Sequence, residues 1–322
     1  MTTRIDKVPE DAPGPSAPGA PEAIKAIPVR HWGRYVAAVV VLVLLGLLVN
    51  AVAGADLRWK SVGDFFFDDQ ILEGVKNTIV VSVLSMIMGL VLGIVLAVMR
   101  MSKNPVTSSV AWGYIWFFRG TPVYVQLLLW FNLALIFPII NLGPIYKDEM
   151  TDAMTPFMAA LLGLGLNEAA YMAEICRAGI QSVDEGQTEA SQALGMTQAQ
   201  NMRRIVLPQA MRVIVPPTGN EFINLLKTSS LCSVVMYEEA LRKAQNIGNN
   251  SSAVVELLLV ATVWYLAITT VFSIGQYYLE RRYAKGSLRE LPDTPWQRVR
   301  KNLFVLGRGT GSGAQGAGGV GA

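Results

Sequence analysis

Long apolar blocks, separated by short stretches rich in charge, proline or glycine, set the pattern of this 322-residue chain. Six blocks, 35–53, 78–99, 123–140, 156–176, 218–236 and 254–278, come near the ~20 residues that an α-helix needs to cross a bilayer. The pattern therefore predicts an all-α integral membrane protein with six transmembrane helices. Two boundaries carry local signals. Thr155-Pro156 offers a capping residue and a helix-compatible proline at the start of the fourth block. Pro216-Pro217 is expected to interrupt any helix before the fifth, and Thr218-Gly219-Asn220-Glu221 fits a capping box.

The first block ends in AVAGA, which resembles a signal cleavage site. Its apolar run is too long for a signal core and follows 34 residues of other sequence, so a retained N-terminal anchor helix over 35–53 is expected. Residues 1–27, rich in Pro, Ala, Gly and Asp, read as a disordered cytoplasmic segment, and 286–322 as a cytoplasmic tail that is Gly-rich from 307. Loop charge fixes the orientation. With the N-terminus inside, 19 of the 27 lysines and arginines fall in cytoplasmic segments and 6 in outer loops, which places both termini in the cytoplasm.

Between the fourth and fifth blocks lies a polar stretch, 182–208. Ser182-Val183-Asp184-Glu185 reads as a capping box that starts a helix near Ser182, and Gly195 suits a left-handed helix end. Thr197-Gln198-Ala199-Gln200 is a second capping box, with Pro208 marking the next break. Ala190, Ala193 and Leu194 share one face of the first helix, and Met202, Ile205 and Val206 one face of the second. The remaining faces turn Glu189, Gln192, Gln198, Gln200, Asn201, Arg203 and Arg204 to the cytoplasm. Helical periodicity alone fits an ordinary amphipathic linker as well as a docking element.

Glu189, Ala190, Ser191, Gly195, Ile205, Leu207 and Pro208 read E-A-S-x3-G-x9-I-x-L-P. This resembles the EAA loop of ABC-importer permeases, the cytoplasmic element that docks into the ATPase subunit; Ser191 stands where the family has a second Ala. WFFRGTPVYVQLLL (116–129), AAYMAEICRAGIQSVDEGQTEA (169–190) and GNEFINLLKTSSL (219–231) look like segments of the polar amino-acid uptake subfamily, which takes up histidine, arginine, glutamine, glutamate and similar solutes. The family often reads K-D-T-S-L where this chain has Lys227-Thr228-Ser229-Ser230-Leu231, so Lys227 lacks the acidic neighbour. The resemblance spans residues 70–285, the five-helix core of a type I ABC-importer permease, and leaves the anchor helix and both tails outside. It implies a bacterial plasma-membrane protein with three kinds of partner: a dimer of ABC ATPase subunits, an extracytoplasmic solute-binding protein and a second permease subunit. ATP and Mg would belong to the ATPase, with no cofactor on this chain.

Polar residues within the blocks suggest where a solute passes, because a charge at a helix centre costs about 2.5–3.5 kcal/mol on insertion scales. Asn167, Tyr171 and Glu174 recur with Gly163 on one face of the fourth block; Asn220, Asn224 and Lys227 do so on the fifth, beside Glu221. These residues are the expected substrate path, while Glu174 and Glu221 equally fit the cheaper interface. Arg119 reads as a snorkelling cation.

Charged residues make up 16% of the chain, against the ~25% of soluble domains. The net charge of +3 has no basic patch interleaved with aromatics, so nucleic-acid binding finds no support. Cys176 and Cys232 lack ligand spacing, and the single histidine, His31, makes no metal site. No Gly-Lys dipeptide exists, which excludes a phosphate loop, and nothing reads as a catalytic nucleophile or base. A transport subunit rather than an enzyme is expected, energised elsewhere. The alternative is a self-sufficient secondary amino-acid transporter, which would leave the hairpin unexplained and would call for internal repeats that the sequence lacks.

Overall fold

A computed structural model describes residues 32–141 and 147–284; the N-terminal segment 1–27, His31 and the tail from 286 lie outside the described residues. The chain divides into two compact units, 1–56 and 57–322. The first contributes α1 (Trp32–Ala53), apolar on every side from Val36 to Val49.

The second unit begins with α2 (Trp59–Phe66) and the long α3 (Asp69–Arg100). Next come α4 (Pro105–Gly120), α5 (Val123–Phe131) and α6 (Leu133–Ile136). Strands β1 (Ile139–Asn141) and β2 (Lys147–Glu149) pair antiparallel and lead into α7 (Met150–Ala153) and α8 (Pro156–Gln181). The hairpin helices α9 (Glu185–Ala193) and α10 (Gln198–Asn201) follow, then α11 (Leu207–Thr228), α12 (Ala240–Ser251) and α13 (Val254–Ala284). Among the described residues α1, α3 and α13 are long and apolar enough by themselves to cross a membrane. α8 has 26 residues, sufficient in length at 1.5 Å per residue, and carries the polar positions noted above.

The centre of the fold is the contact of α3 with α8. Ser85, Gly89, Gly93 and Ala97 recur every fourth residue on α3 and are all buried. Such small-xxx-small stripes let helix backbones approach where lipid gives no hydrophobic drive. A Cβ on Gly93 would stand 2.5 Å from the Met172 Cβ and 3.0 Å from the Ala173 nitrogen. Gly163 plays the same part against Leu127 of α5, whose side chain a Cβ there would strike.

Three expectations need correction. The third block is not one span: α5 ends at Phe131, the following Asn132 donates its side-chain amide to the Leu128 carbonyl (2.9 Å), and Pro138 follows α6. α4, where the apolar pattern gave no span, is a helix of 16 residues capped by Asn104 with Pro105 in its first turn. The fifth block does not start at 218. α11 runs straight through Pro216-Pro217, and Thr218, instead of capping, donates its hydroxyl to the Ile214 carbonyl (2.8 Å). Gln276 of α13 donates to the Pro216 carbonyl (2.8 Å), packing over Gly219. This bond joins α13 to α11 beside the prolines; the carbonyls that the prolines free are those of Arg212 and Val213, one turn earlier. A 3-10 segment, Ser229–Val235, then prolongs α11 to the left-handed Met236 (φ 63°).

α12, polar and outside the apolar blocks, is fastened to α3 and α13. Glu239 is fully buried and caps it, accepting from the Leu241 and Arg242 N–H groups (2.8 Å each) and from the Tyr265 hydroxyl. Burial raises this carboxyl to about 7 against the pull of those donors. Lys243 bridges Glu73 (2.9 Å) and Glu238 (2.8 Å).

Candidate substrate path and coupling hairpin

α8 and α11 face each other across a cavity of about 440 Å³. α8 contributes Leu164, Asn167, Glu168 and Tyr171; α11 contributes Glu221, Asn224, Leu225, Lys227 and Thr228; Val123 of α5 completes the lining. Five of the seven residues expected on a substrate path meet here: Asn167, Tyr171, Glu221, Asn224 and Lys227. Two do not. Glu174 is bound to Arg177 one turn further along α8 (2.6 Å), and Asn220 is exposed but does not line the cavity.

The lining face of α8 is rotated from the one periodicity suggested, because Gly163 is taken up by the contact with Leu127. Leu164, Glu168 and Tyr171 follow i, i+4, i+7, a spacing equally legible in the sequence. That rotation adds Glu168 to the expected lining, and Thr228, next to Lys227 on α11, is added independently. Asn167 has a double part: its amide donates to the Phe118 carbonyl at the end of α4 (2.8 Å) and approaches the Gln126 side-chain oxygen (3.4 Å). Gln126 in turn donates to the carbonyls of Phe118 and Thr121 (3.0 Å each), so this network holds the α4–α5 corner. The Arg119 guanidinium, exposed in the last turn of α4, lies over the Tyr171 ring, 5.2 Å from its centroid.

The polar stretch forms a helical hairpin. Its first helix is capped by Asp184, which accepts from the Gly186 N–H (2.7 Å), and not by Ser182, whose hydroxyl donates to Gly179 (2.7 Å) at the end of α8. The turn is a Schellman motif. Gly195 has φ +77°, its N–H donates to Gln192 (2.9 Å), and the Met196 N–H donates to Ser191 (3.1 Å). Thr197 and Gln200 form a reciprocal capping box (3.3 and 2.9 Å). Pro208 is no break: it lies in the first turn of α11, directly after a π-helical segment, Met202–Val206, that widens the backbone ahead of it.

On the first hairpin helix the buried face is not the apolar one that periodicity indicated, whereas on the second Val206 is buried and Ile205 half-buried as the pattern suggests. Ser191 and Asn201 are buried, with Ser191 donating to the Thr188 carbonyl (2.8 Å) and the Asn201 amide close to the Thr188 hydroxyl (3.4 Å). Ala190 and Ala193 are exposed, and Leu194 is 82% exposed at the turn. Glu189, Gln192, Gln198, Gln200, Arg203 and Arg204 are exposed as expected; Leu207 and Pro208 are exposed and Ile205 half-buried. Val206, Ala210 and Ile214 root the hairpin, the latter two in a cluster with Ala97 and Cys176. Among the described residues no group of three or more His, Cys, Asp or Glu is placed to hold a metal ion.

Residues 89–285 match the family described as binding-protein-dependent transport system inner membrane component. The chain is 50% identical over 281 residues to the arginine transport system permease protein ArgU of Corynebacterium glutamicum, covering 86% of this chain and 89% of the relative. It is 38% identical over 231 residues to the L-cystine transport system permease protein TcyB of Bacillus subtilis, covering 71% of this chain and 92% of that one. A crystal structure of an amino acid ABC transporter with histidines superposes with a TM-score of 0.62 at 35% identity, over 71% of this chain and all of its own. On the match over residues 89–285 and on these relatives, the chain belongs to the binding-protein-dependent transport system inner membrane component family, as a type I ABC permease.

Proposed function

We propose that this permease subunit of an ABC amino-acid importer takes up a polar amino acid by alternating access, driven through the hairpin 182–208 by a separate ATPase. The observation that carries the reading is the hairpin itself. It is closed at both helix starts and at the turn by specific caps, yet it leaves Leu194, Ala190 and Ala193 in the open instead of burying them. An apolar tip on a rigid, polar projection suits insertion into a partner. Glu189, Ala190, Ser191, Gly195, Ile205, Leu207 and Pro208 are the coupling residues, with Ser191 and Gly195 setting the shape and the others its surface and root.

The path runs through the cavity between α8 and α11, where Asn167, Tyr171, Glu221, Asn224 and Lys227 meet. Closure of the ATPase dimer would move the hairpins of two permease subunits. α8 and α11, continuous with the hairpin at either end, would carry that motion to the cavity. A solute-binding protein delivers the amino acid at the outer face, both termini lie in the cytoplasm, and ATP and Mg are held by the ATPase. The named relatives act on different solutes, arginine and L-cystine among them, so the shared fold leaves the solute to the side chains that line the cavity.

A mild-detergent purification of the tagged chain from its native membranes tests this reading. An ATP-hydrolysing subunit is expected to copurify, and amino-acid uptake by the cells is expected to stop when ATP is depleted. A chain that purifies without an ATPase and moves an amino acid alone in proteoliposomes would overturn it.

A further inference from the structure

A second cavity, of about 380 Å³, lies in the crook of the hairpin and shares no lining residue with the path between α8 and α11. Its walls are the end of α8, one face of α9 and the run 198–206. A space of this size falls within the roughly 300–1,000 Å³ of small-molecule sites. Ile180, Val183, Met202 and Val206 supply an apolar floor. Met202 and Val206 are also the two ends of the π-helical segment, a backbone form found frequently at functional sites.

One polar group of this cavity is left without a partner. Asn201, among its lining residues, is 5% exposed, and its Oδ1 is buried and accepts no hydrogen bond. The amide nitrogen of the same side chain approaches the Thr188 hydroxyl as a donor (3.4 Å), so the unmet group is an acceptor. Leaving such an oxygen buried and unmet costs free energy that an incoming donor recovers. Glu185, exposed in the first turn of α9, adds a carboxylate to the lining. Among the described residues no lysine or arginine lines the cavity. A carboxylate or phosphate would therefore meet a like charge and an unsatisfied oxygen, whereas ammonium and guanidinium groups bring donors only. The apolar floor suits a short aliphatic chain behind such a group.

We propose that the crook of the hairpin binds a small organic cation, an ammonium or guanidinium group on a short aliphatic chain, with its donors on Asn201 and Glu185 and its chain on the apolar floor. A cation seated there holds α9 and the π-helical segment at a fixed spacing. On the coupling reading it is thereby a regulator of ATPase engagement, while the binding itself does not depend on that reading. A lysine or arginine of a docked ATPase carries the same donors, so the test uses the full chain purified in mild detergent without the ATPase. The measurement is equilibrium binding of radiolabelled agmatine, a butyl chain with an ammonium at one end and a guanidinium at the other. Butylamine, butanol and butyrate serve as competitors of equal chain length. Saturable binding is expected, displaced by butylamine and by neither of the others. Asn201→Leu should weaken it roughly tenfold or more, and Asn201→Asp should retain or strengthen it. Asn224→Leu, in the transport path, should leave it unchanged. Should Asn201→Leu fail to fold, Glu185→Gln, at an exposed position, is expected to weaken binding several-fold. No saturable binding to the chain alone would overturn the proposal and leave the unmet oxygen to a side chain of the ATPase. Binding that Asn224→Leu abolishes and Asn201→Leu spares would overturn it as well, placing the probe in the transport path. Failure of the importer reading looks different: no ATP-dependent uptake of any amino acid above that of cells lacking the chain.

Discussion

Gly195 is the point at which the geometry of the hairpin is most exposed to a single substitution. Its φ of +77° lies in the left-handed region, and a Cβ there would meet no atom within 4 Å. Crowding thus adds nothing, and the cost of Gly195→Ala is backbone strain alone, about 1–2 kcal/mol. A turn displaced by that amount occupies its docking shape roughly 5- to 30-fold less often. Gly195→Asn introduces a larger side chain into the same open space but tolerates the left-handed conformation. Recovery of the ATPase with the tagged permease is therefore expected to fall several-fold for Ala and to change little for Asn, with both variants as abundant in the membrane as the parent. Equal losses for Ala and Asn would refute the strain reasoning and place the requirement in free space at the tip. Loss of membrane abundance would instead give the turn a folding role.

Other predictions follow from packing and charge. Gly93→Val should force α3 from α8 at the Met172 contact, an overpacking cost of about 1–3 kcal/mol that lowers the detergent melting temperature. Asn167→Leu removes the donor to Phe118 and the approach to Gln126, about 1 kcal/mol for each bond, so it should lower melting temperature as well as uptake. Asn224→Leu, which lines the cavity from an exposed position, should reduce uptake without that thermal loss. Glu239 titrates near 7 in the folded chain, against 4.5 ordinarily. Its folded form holds the proton more tightly, so the stabilisation it gives is complete below about pH 4.5 and is lost as pH rises through 7. Hydrogen exchange in α12 should accelerate over that window, and Glu239→Gln should flatten the dependence; an unchanged profile in the variant would remove Glu239 as the cause.

Much of this was legible in the sequence wherever a signal was local. Thr155-Pro156, Gly195 and the Thr197–Gln200 box act through bonds a few residues long, and each sits in the structure as its residue types require. Signals that depend on tertiary partners misled. Pro216-Pro217 reads as a break, yet α11 continues through it while packed against α13, sixty residues on. Ser182 and Asp184 both offer capping oxygens, and the end of α8 claims the first. On α8 the polar face could be drawn through Gly163 or through Leu164 and Glu168; the choice is made by Leu127, which no periodicity reveals. The apolar residues of the first hairpin helix read as an inward face because burial is the usual fate of such a stripe, whereas Ser191 and Asn201 share the interior with Val206.

The central claim, that the hairpin delivers the work of a separate ATPase, is tested most directly at Leu194. Cys176 and Cys232 are both buried, so Leu194→Cys places a reactive thiol at the tip. Treated with a short bifunctional thiol cross-linker in native membranes, this variant is expected to yield a covalent adduct with an ATP-hydrolysing subunit. The adduct should fall several-fold in the Gly195→Ala background. A tip thiol that captures no ATPase, in a chain that still transports in proteoliposomes without ATP, would contradict the account.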